Sequence, residues 1–107
     1  MGMYNKLVRD GIPAKIEKNG EVPITRTLDE VEYLTELKKK LVEEAQECAA
    51  AEGSETLTEE LADLEEVILA LLKVQNIAPQ AVEDARQHKH EHRGGFAERI
   101  YLEGVKE

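Results

Sequence analysis

The sequence predicts an all-α fold, a bundle of about four helices organised around two long antiparallel central ones. Two apolar stripes predict the central pair. Leu34, Leu37, Leu41, Ala45 and Cys48 are spaced 3, 4, 4 and 3 apart, and Leu57, Leu61, Leu64, Ile68, Leu71 and Gln75 continue the same period. That spacing keeps one face of a 3.6-residue helix apolar. The second observation is that each stripe is preceded by a Thr followed three residues later by an acid, the pattern of a capping box. The third is that Gly, Pro and Asn fall between the periodic segments rather than inside them. With 107 residues, the chain reads as a single domain spanning 1–107, enough for one modest core.

Asp10-Gly11 reads as a turn. Pro13 suits the first turn of a helix, and Asn19-Gly20 is a stop signal, so a short helix is expected near Pro13–Lys18. Val22-Pro23-Ile24-Thr25-Arg26 should be extended, with Pro23 excluded from a central strand because it has no N–H to donate. Thr27-Leu28-Asp29-Glu30 forms the first box and opens a helix over about Leu28–Glu52, ended by Gly53-Ser54. Thr56-Leu57-Thr58-Glu59 forms the second and opens a helix to about Gln75. Within it, Val67-Ile68-Leu69-Ala70-Leu71-Leu72 is apolar nearly all round. A helix apolar on all sides is covered on all sides. So short a chain has few other helices to cover it, so a second subunit is expected to do so. Pro79 starts a fourth helix that runs to Gly94-Gly95. Arg99-Ile100-Tyr101-Leu102 looks extended and is a candidate to pair with Val22–Arg26 as a two-stranded ribbon.

Charged residues make up 35% of the chain and the formal net charge is −9. That balance argues against binding a nucleic-acid backbone, which takes its affinity from cationic clusters. An anionic ligand is still admissible where a metal or a few placed cations override the net charge locally. The sequence has no apolar run near the roughly 18 residues of a membrane span. Met1-Gly2-Met3-Tyr4-Asn5-Lys6 lacks the apolar core of a secretory signal, and lacks the Ser or Thr at position 6 that myristoylation favours. The lone Cys48 cannot form an internal disulfide, so a reducing cytoplasm fits. It lies in an apolar stripe and reads as a small core hydrophobe.

The chemistry-bearing residues are two groups of acids. Glu43-Glu44-Ala45-Gln46-Glu47 is followed, after twelve intervening residues, by Glu60-Leu61-Ala62-Asp63. Residues three apart are neighbours on a helix face. Measured from Leu41 at about 100° per residue, Glu44 lies about 60° and Glu47 about 120° to one side. Measured from Leu64, Glu60 lies about 40° and Asp63 about 100° to the same side. Each pair therefore begins within the apolar stripe and steps outward in the same sense, whereas Glu59, Glu65 and Glu66 lie largely opposite the stripe. If the helices pack side by side, four carboxylates converge. Charges about 4 Å apart repel by roughly 4 kcal/mol at an effective dielectric near 20. A divalent cation relieves that repulsion, and hard oxygen donors suit Mg²⁺ or Mn²⁺. The competing reading is that Glu44 and Glu60 extend to solvent or pair with Lys38, Lys39 or Lys40.

E-E-x-x-E followed by E-x-x-D resembles the signature of the MazG-like all-α nucleoside triphosphate pyrophosphohydrolase superfamily. Tyr4-Asn5-Lys6-Leu7-Val8-Arg9-Asp10-x-Ile12-Pro13 and Arg93-Gly94-Gly95-Phe96-x-x-Arg99-Ile100 are similar to the flanking motifs of its small single-domain, phosphoribosyl-ATP pyrophosphohydrolase-like or house-cleaning branch. The resemblance implies a helical bundle that assembles as a homodimer or tetramer, Mg²⁺ held by Glu44, Glu47, Glu60 and Asp63, and hydrolysis of a nucleoside triphosphate to monophosphate and pyrophosphate. It implies that Glu43 orients or deprotonates the attacking water, or else lies on the helix's solvent face.

Phosphoanhydride hydrolysis also needs cations on the developing charge. Lys6, Arg9, Lys89, Arg93 and Arg99 lie in or beside the flanking motifs and are the candidates, Arg suiting bidentate and Lys point contacts. Lys89 and Arg93, at i and i+4, share a helix face; Lys6 and Arg9 are i and i+3. The alternative is that they are solvated charges or intersubunit ion pairs. His88, His90 and His92 do not share one helix face, which argues against zinc. Phosphoribosyl-ATP pyrophosphohydrolase itself is a rival, disfavoured because Asp63 continues as Leu64-Glu65-Glu66-Val67 where that enzyme typically has Tyr-His. A non-catalytic helical oligomerisation or binding module is the third reading.

Overall fold

The computed structural model describes residues 4–107. The readings for Met1, Gly2 and Met3, no secretory signal and no myristoylation, lie outside the described residues. The described chain is all-helical, with α1 Ile12–Lys18, α2 Glu30–Ala50, α3 Ser54–Val74 and α4 Pro79–Arg93, and no strand among the described residues. It resolves into two compact units, one ending at Asn76 and the other Ile77–Glu107.

In the first unit, α1 opens with Pro13 in its first turn and stops through paired backbone bonds. Gly20 N–H donates to Glu17 O (3.0 Å) and Glu21 N–H to Ile16 O (3.2 Å). This is a Schellman closure, with Gly20 at φ +84° supplying the left-handed residue it requires. α2 is capped by Asp29, not by the expected Thr27 box. Asp29 Oδ1 accepts from Glu32 N–H at 2.8 Å, because Asp29 is the last residue with extended backbone (ψ 171°) before the helix. The Thr56 box fails for a related reason. Gly53, at φ 82° and ψ 157°, turns the chain early, so Ser54 and Glu55 are already helical. Thr58 instead donates its hydroxyl to Ser54 O at 2.6 Å.

Ala51–Gly53 is too short a connection to do anything but return the chain, so α2 and α3 run antiparallel and pack on each other. Leu37, at 3% exposure, is the sole fully buried hydrophobe among the described residues. Leu34, Leu41, Cys48, Leu64, Val67, Leu71 and Leu72 are half-buried, while Ala45, Leu57, Leu61, Ile68 and Leu69 are exposed. Ile68 and Leu69, within the apolar run of α3, are thus left exposed among the described residues.

In the second unit, Pro79 opens α4, and Gly94 at φ 80° ends it, its N–H donating to His90 O at 2.8 Å. The expected ribbon between Val22–Arg26 and Arg99–Leu102 does not form. The two segments belong to different units, Pro23 has no donor, and Arg99 sits at φ 59°. Its N–H turns back to Phe96 O (3.2 Å) instead of facing a neighbouring strand.

A carboxylate cluster on the helix pair

The connection at Ala51–Gly53 sets the level at which the acids meet. Glu44 precedes it by seven residues and Glu60 follows it by seven, so an antiparallel pair brings them to the same height. Glu44, Glu47 and Glu60 each present one oxygen to a common point, the three lying within 4.8 Å of one another. No other group of three metal-competent side chains comes together among the described residues. Glu44 Oε2 and Glu60 Oε2 are buried and have no hydrogen-bond partner. Glu59, Glu65 and Glu66 are exposed, as the wheel geometry predicts.

The carboxyls feel this crowding. Burial, and then the charge of Glu47, holds Glu44 above the usual carboxylate range; Lys40 acts weakly in the opposite direction. Glu60 is raised first by the close approach of the Glu47 carboxyl, then by burial and by the charges of Glu47 and Asp63. The cluster also touches Cys48: burial, with the neighbouring carboxylates, pushes its thiol up, so it stays protonated and unreactive.

The lysines do not neutralise the cluster. Lys39 pairs with Glu36 (3.3 Å) and Lys40 with Glu43 (3.6 Å). Glu43 is therefore exposed on α2 and engaged along its own helix, outside the three-carboxylate group. Asp63 is half-buried and also outside that group, and Arg9 Nη2 donates to its Oδ1 at 2.6 Å. No sequence periodicity links positions 9 and 63, and this pairing was not anticipated.

The donor set and its orphaned oxygens fit a hard divalent cation. Buried carboxylate oxygens without partners are costly unless paired or coordinating, and an all-oxygen set selects Mg²⁺- or Mn²⁺-like ions over softer ones.

The remaining candidate cations fall in both units. Lys6 lies over the Tyr4 ring, 5.6 Å from its centroid. In the second unit, Arg86, Lys89, His90, Arg93, Gly94, Gly95 and Phe96 line an open groove of ≈ 580 Å³. Arg86 is spent on Glu83, at 2.6 and 3.0 Å. Lys89, Arg93 and Arg99 enter no ion pair among the described residues. Gly95 lies close under the His90 ring, where a Cβ would meet His90 Cε1 at 3.2 Å. His88 and His92 stack, centroids 4.2 Å apart, while His90 turns to Gly95, so the histidines do not converge. Arg86 has no place in the sequence motifs; its i, i+4 relation to His90 was the signal available.

The described chain is all-helical, and three carboxylates that could hold a metal ion meet on its antiparallel helix pair. The family follows from sequence comparison: the phosphoribosyl-ATP pyrophosphohydrolase family model matches residues 8–90, so the chain belongs to that family and, with it, to the MazG-like superfamily of pyrophosphohydrolases acting on phosphoanhydride bonds. An uncharacterized protein of Mycolicibacterium smegmatis (strain ATCC 700084 / mc(2)155) is 43% identical over 54 residues, covering 50% of this chain and 55% of the relative. The chain thus matches about half the length of that relative. No solved structure matches.

Proposed function

We propose that this protein is a divalent-metal-dependent nucleotide pyrophosphohydrolase that converts a nucleoside or deoxynucleoside triphosphate, non-canonical ones included, to the monophosphate and pyrophosphate. The observation that carries the reading is the convergence of Glu44, Glu47 and Glu60 with two buried, unpartnered oxygens in a chain of a pyrophosphohydrolase family. Mg²⁺, or Mn²⁺ in its place, held by these three and Asp63 would neutralise phosphate oxygens and favour the departing pyrophosphate. Glu43 is assigned to the attacking water, its carboxylate accepting the proton once Lys40 yields it. Lys6, Arg9, Lys89, Arg93 and Arg99 are assigned to the phosphates because of the motifs that carry them. The reading treats the chain as one domain, since the family match runs across the boundary at Asn76.

Self-association belongs to the same reading. One buried hydrophobe among the described residues is too little core for a stable domain, and exposed Ile68 and Leu69 on α3 fit burial against a second copy, as homodimer or tetramer. No helix is long and apolar enough to cross a membrane among the described residues, and a cytoplasmic location is proposed with the nucleotide substrate.

A second reading, phosphoribosyl-ATP as the substrate, is favoured by the description of the matching family. One assay separates the readings. The protein is incubated with Mg²⁺ or Mn²⁺ and a panel of canonical and modified triphosphates plus phosphoribosyl-ATP, and pyrophosphate is measured. Metal-dependent release from triphosphates is expected, falling at least about 10²-fold in Glu44→Ala. Release from phosphoribosyl-ATP alone would favour the second reading. No release from any substrate would leave a non-catalytic binding module, and release that survives Glu44→Ala would remove the metal assignment.

A further inference from the structure

The ion pair between Arg9 and Asp63 stands apart from the others. The remaining pairs join residues three to six apart on the chain, whereas this one spans 54 positions at 2.6 Å. Asp63 also follows Glu60 by three residues on α3, and so shares a helix face with the cluster. Arg9 is fixed at its backbone, where its carbonyl accepts Ile12 N–H (3.0 Å) at the start of α1. Its side chain is 58% exposed, so the guanidinium can swing without the chain unfolding.

The Asp63 carboxylate cannot serve Arg9 at this distance and a divalent cation equally well. The two positive groups repel, and each draws on the charge of one carboxylate, whose Oδ1 Arg9 already holds. With a cation held by Glu44, Glu47 and Glu60 the pair would loosen, and a freed guanidinium would be a bidentate donor for a phosphate. We propose that Arg9 exchanges partners: it neutralises Asp63 while the cluster is metal-free and passes to a phosphate of the incoming nucleotide once the cation holds the carboxylate. This rests on the metal-centre reading above. Through it Asp63 avoids standing as bare negative charge beside the cluster, and a phosphate-binding cation is delivered only when metal is present.

The test is Mn²⁺ affinity without nucleotide, measured by titration of free Mn²⁺ in wild type, Arg9→Ala, Asp63→Asn and the double variant. Removing a competitor should tighten Mn²⁺ binding about two- to fivefold in Arg9→Ala, the range of an exposed ion pair, with no tightening when Asp63 is already Asn. A non-hydrolysable triphosphate should bind more weakly to Arg9→Ala than to wild type when Mg²⁺ is present, and equally when it is absent. Unchanged or weaker Mn²⁺ binding in Arg9→Ala overturns the exchange. Tightening that persists beside Asp63→Asn also overturns it, because the effect is then long-range charge alone. A Glu44→Ala arm keeps the two readings separate: Mn²⁺ binding indifferent to Glu44 sinks the metal centre, whereas binding lost with Glu44 but indifferent to Arg9 sinks only the exchange.

Discussion

Glu44 and Glu60 occupy positions where a helix pair would ordinarily place hydrophobes, and their cost depends on pH. Both carboxyls sit above the ordinary value of 4.5 in the folded chain. A carboxyl raised by folding contributes stability that is present below its unfolded value and is lost as pH rises through its folded one. The metal-free protein should therefore lose melting temperature as pH climbs from 4.5 through the raised values, relative to Glu44→Gln and Glu60→Gln. Excess Mg²⁺ or Mn²⁺ should restore the wild type and not the variants. Calorimetric melting curves across this window check it, and parallel curves for all three proteins would contradict it. The acids themselves were legible in the sequence, because their wheel positions set them apart from Glu59, Glu65 and Glu66. The engagement of Asp63 by Arg9 was not legible, because it joins two positions that no helical period relates.

The helices were legible in number and order, and their starts were less so. Both Thr boxes matched the capping pattern, yet Asp29 and Gly53 precede the helices that form. Several polar residues in a row each qualify as a cap, and backbone geometry chooses among them. Asp29→Ala should destabilise the protein by about 1 kcal/mol while Thr27→Ala changes little, as read from denaturant midpoints; equal effects would return the cap to Thr27. Gly53, with φ 82° and ψ 157°, occupies a region almost reserved for glycine. Gly53→Ala should cost about 1–3 kcal/mol and should also weaken Mn²⁺ binding, because this turn sets the level of Glu44 against Glu60.

Across the chain as a whole, apolar surface exceeds what two packed helices can cover. Leu61 (48% exposed) and Leu69 (44%), with Leu57 and Ile68, are exposed on α3, and Val31 and Val42 on α2. Light scattering should show a dimer or larger species at micromolar concentration, and Ile68→Asp with Leu69→Asp should shift it toward monomer with a lower melting temperature. A monomeric wild type would instead leave these residues exposed in solution. The surplus was visible beforehand, because an apolar period on every side of Val67–Leu72 needs no structure to recognise. The ribbon was overread: two extended, β-branched segments look alike in sequence, but only the folded chain shows Arg99 turning away.

By itself the sequence determined the all-helical class, the order of four helices, the acids on the inner edge of two of them, and the motifs that tie the chain to its family. These are local properties, because period, punctuation and residue chemistry act within a few turns of chain. The tertiary structure decided which oxygens converge, which are left buried without partners, and where Asp63 and Glu43 spend their charge. Those outcomes depend on the height at which one short connection brings two helices together and on contacts between residues far apart in the chain, which a periodic pattern does not encode.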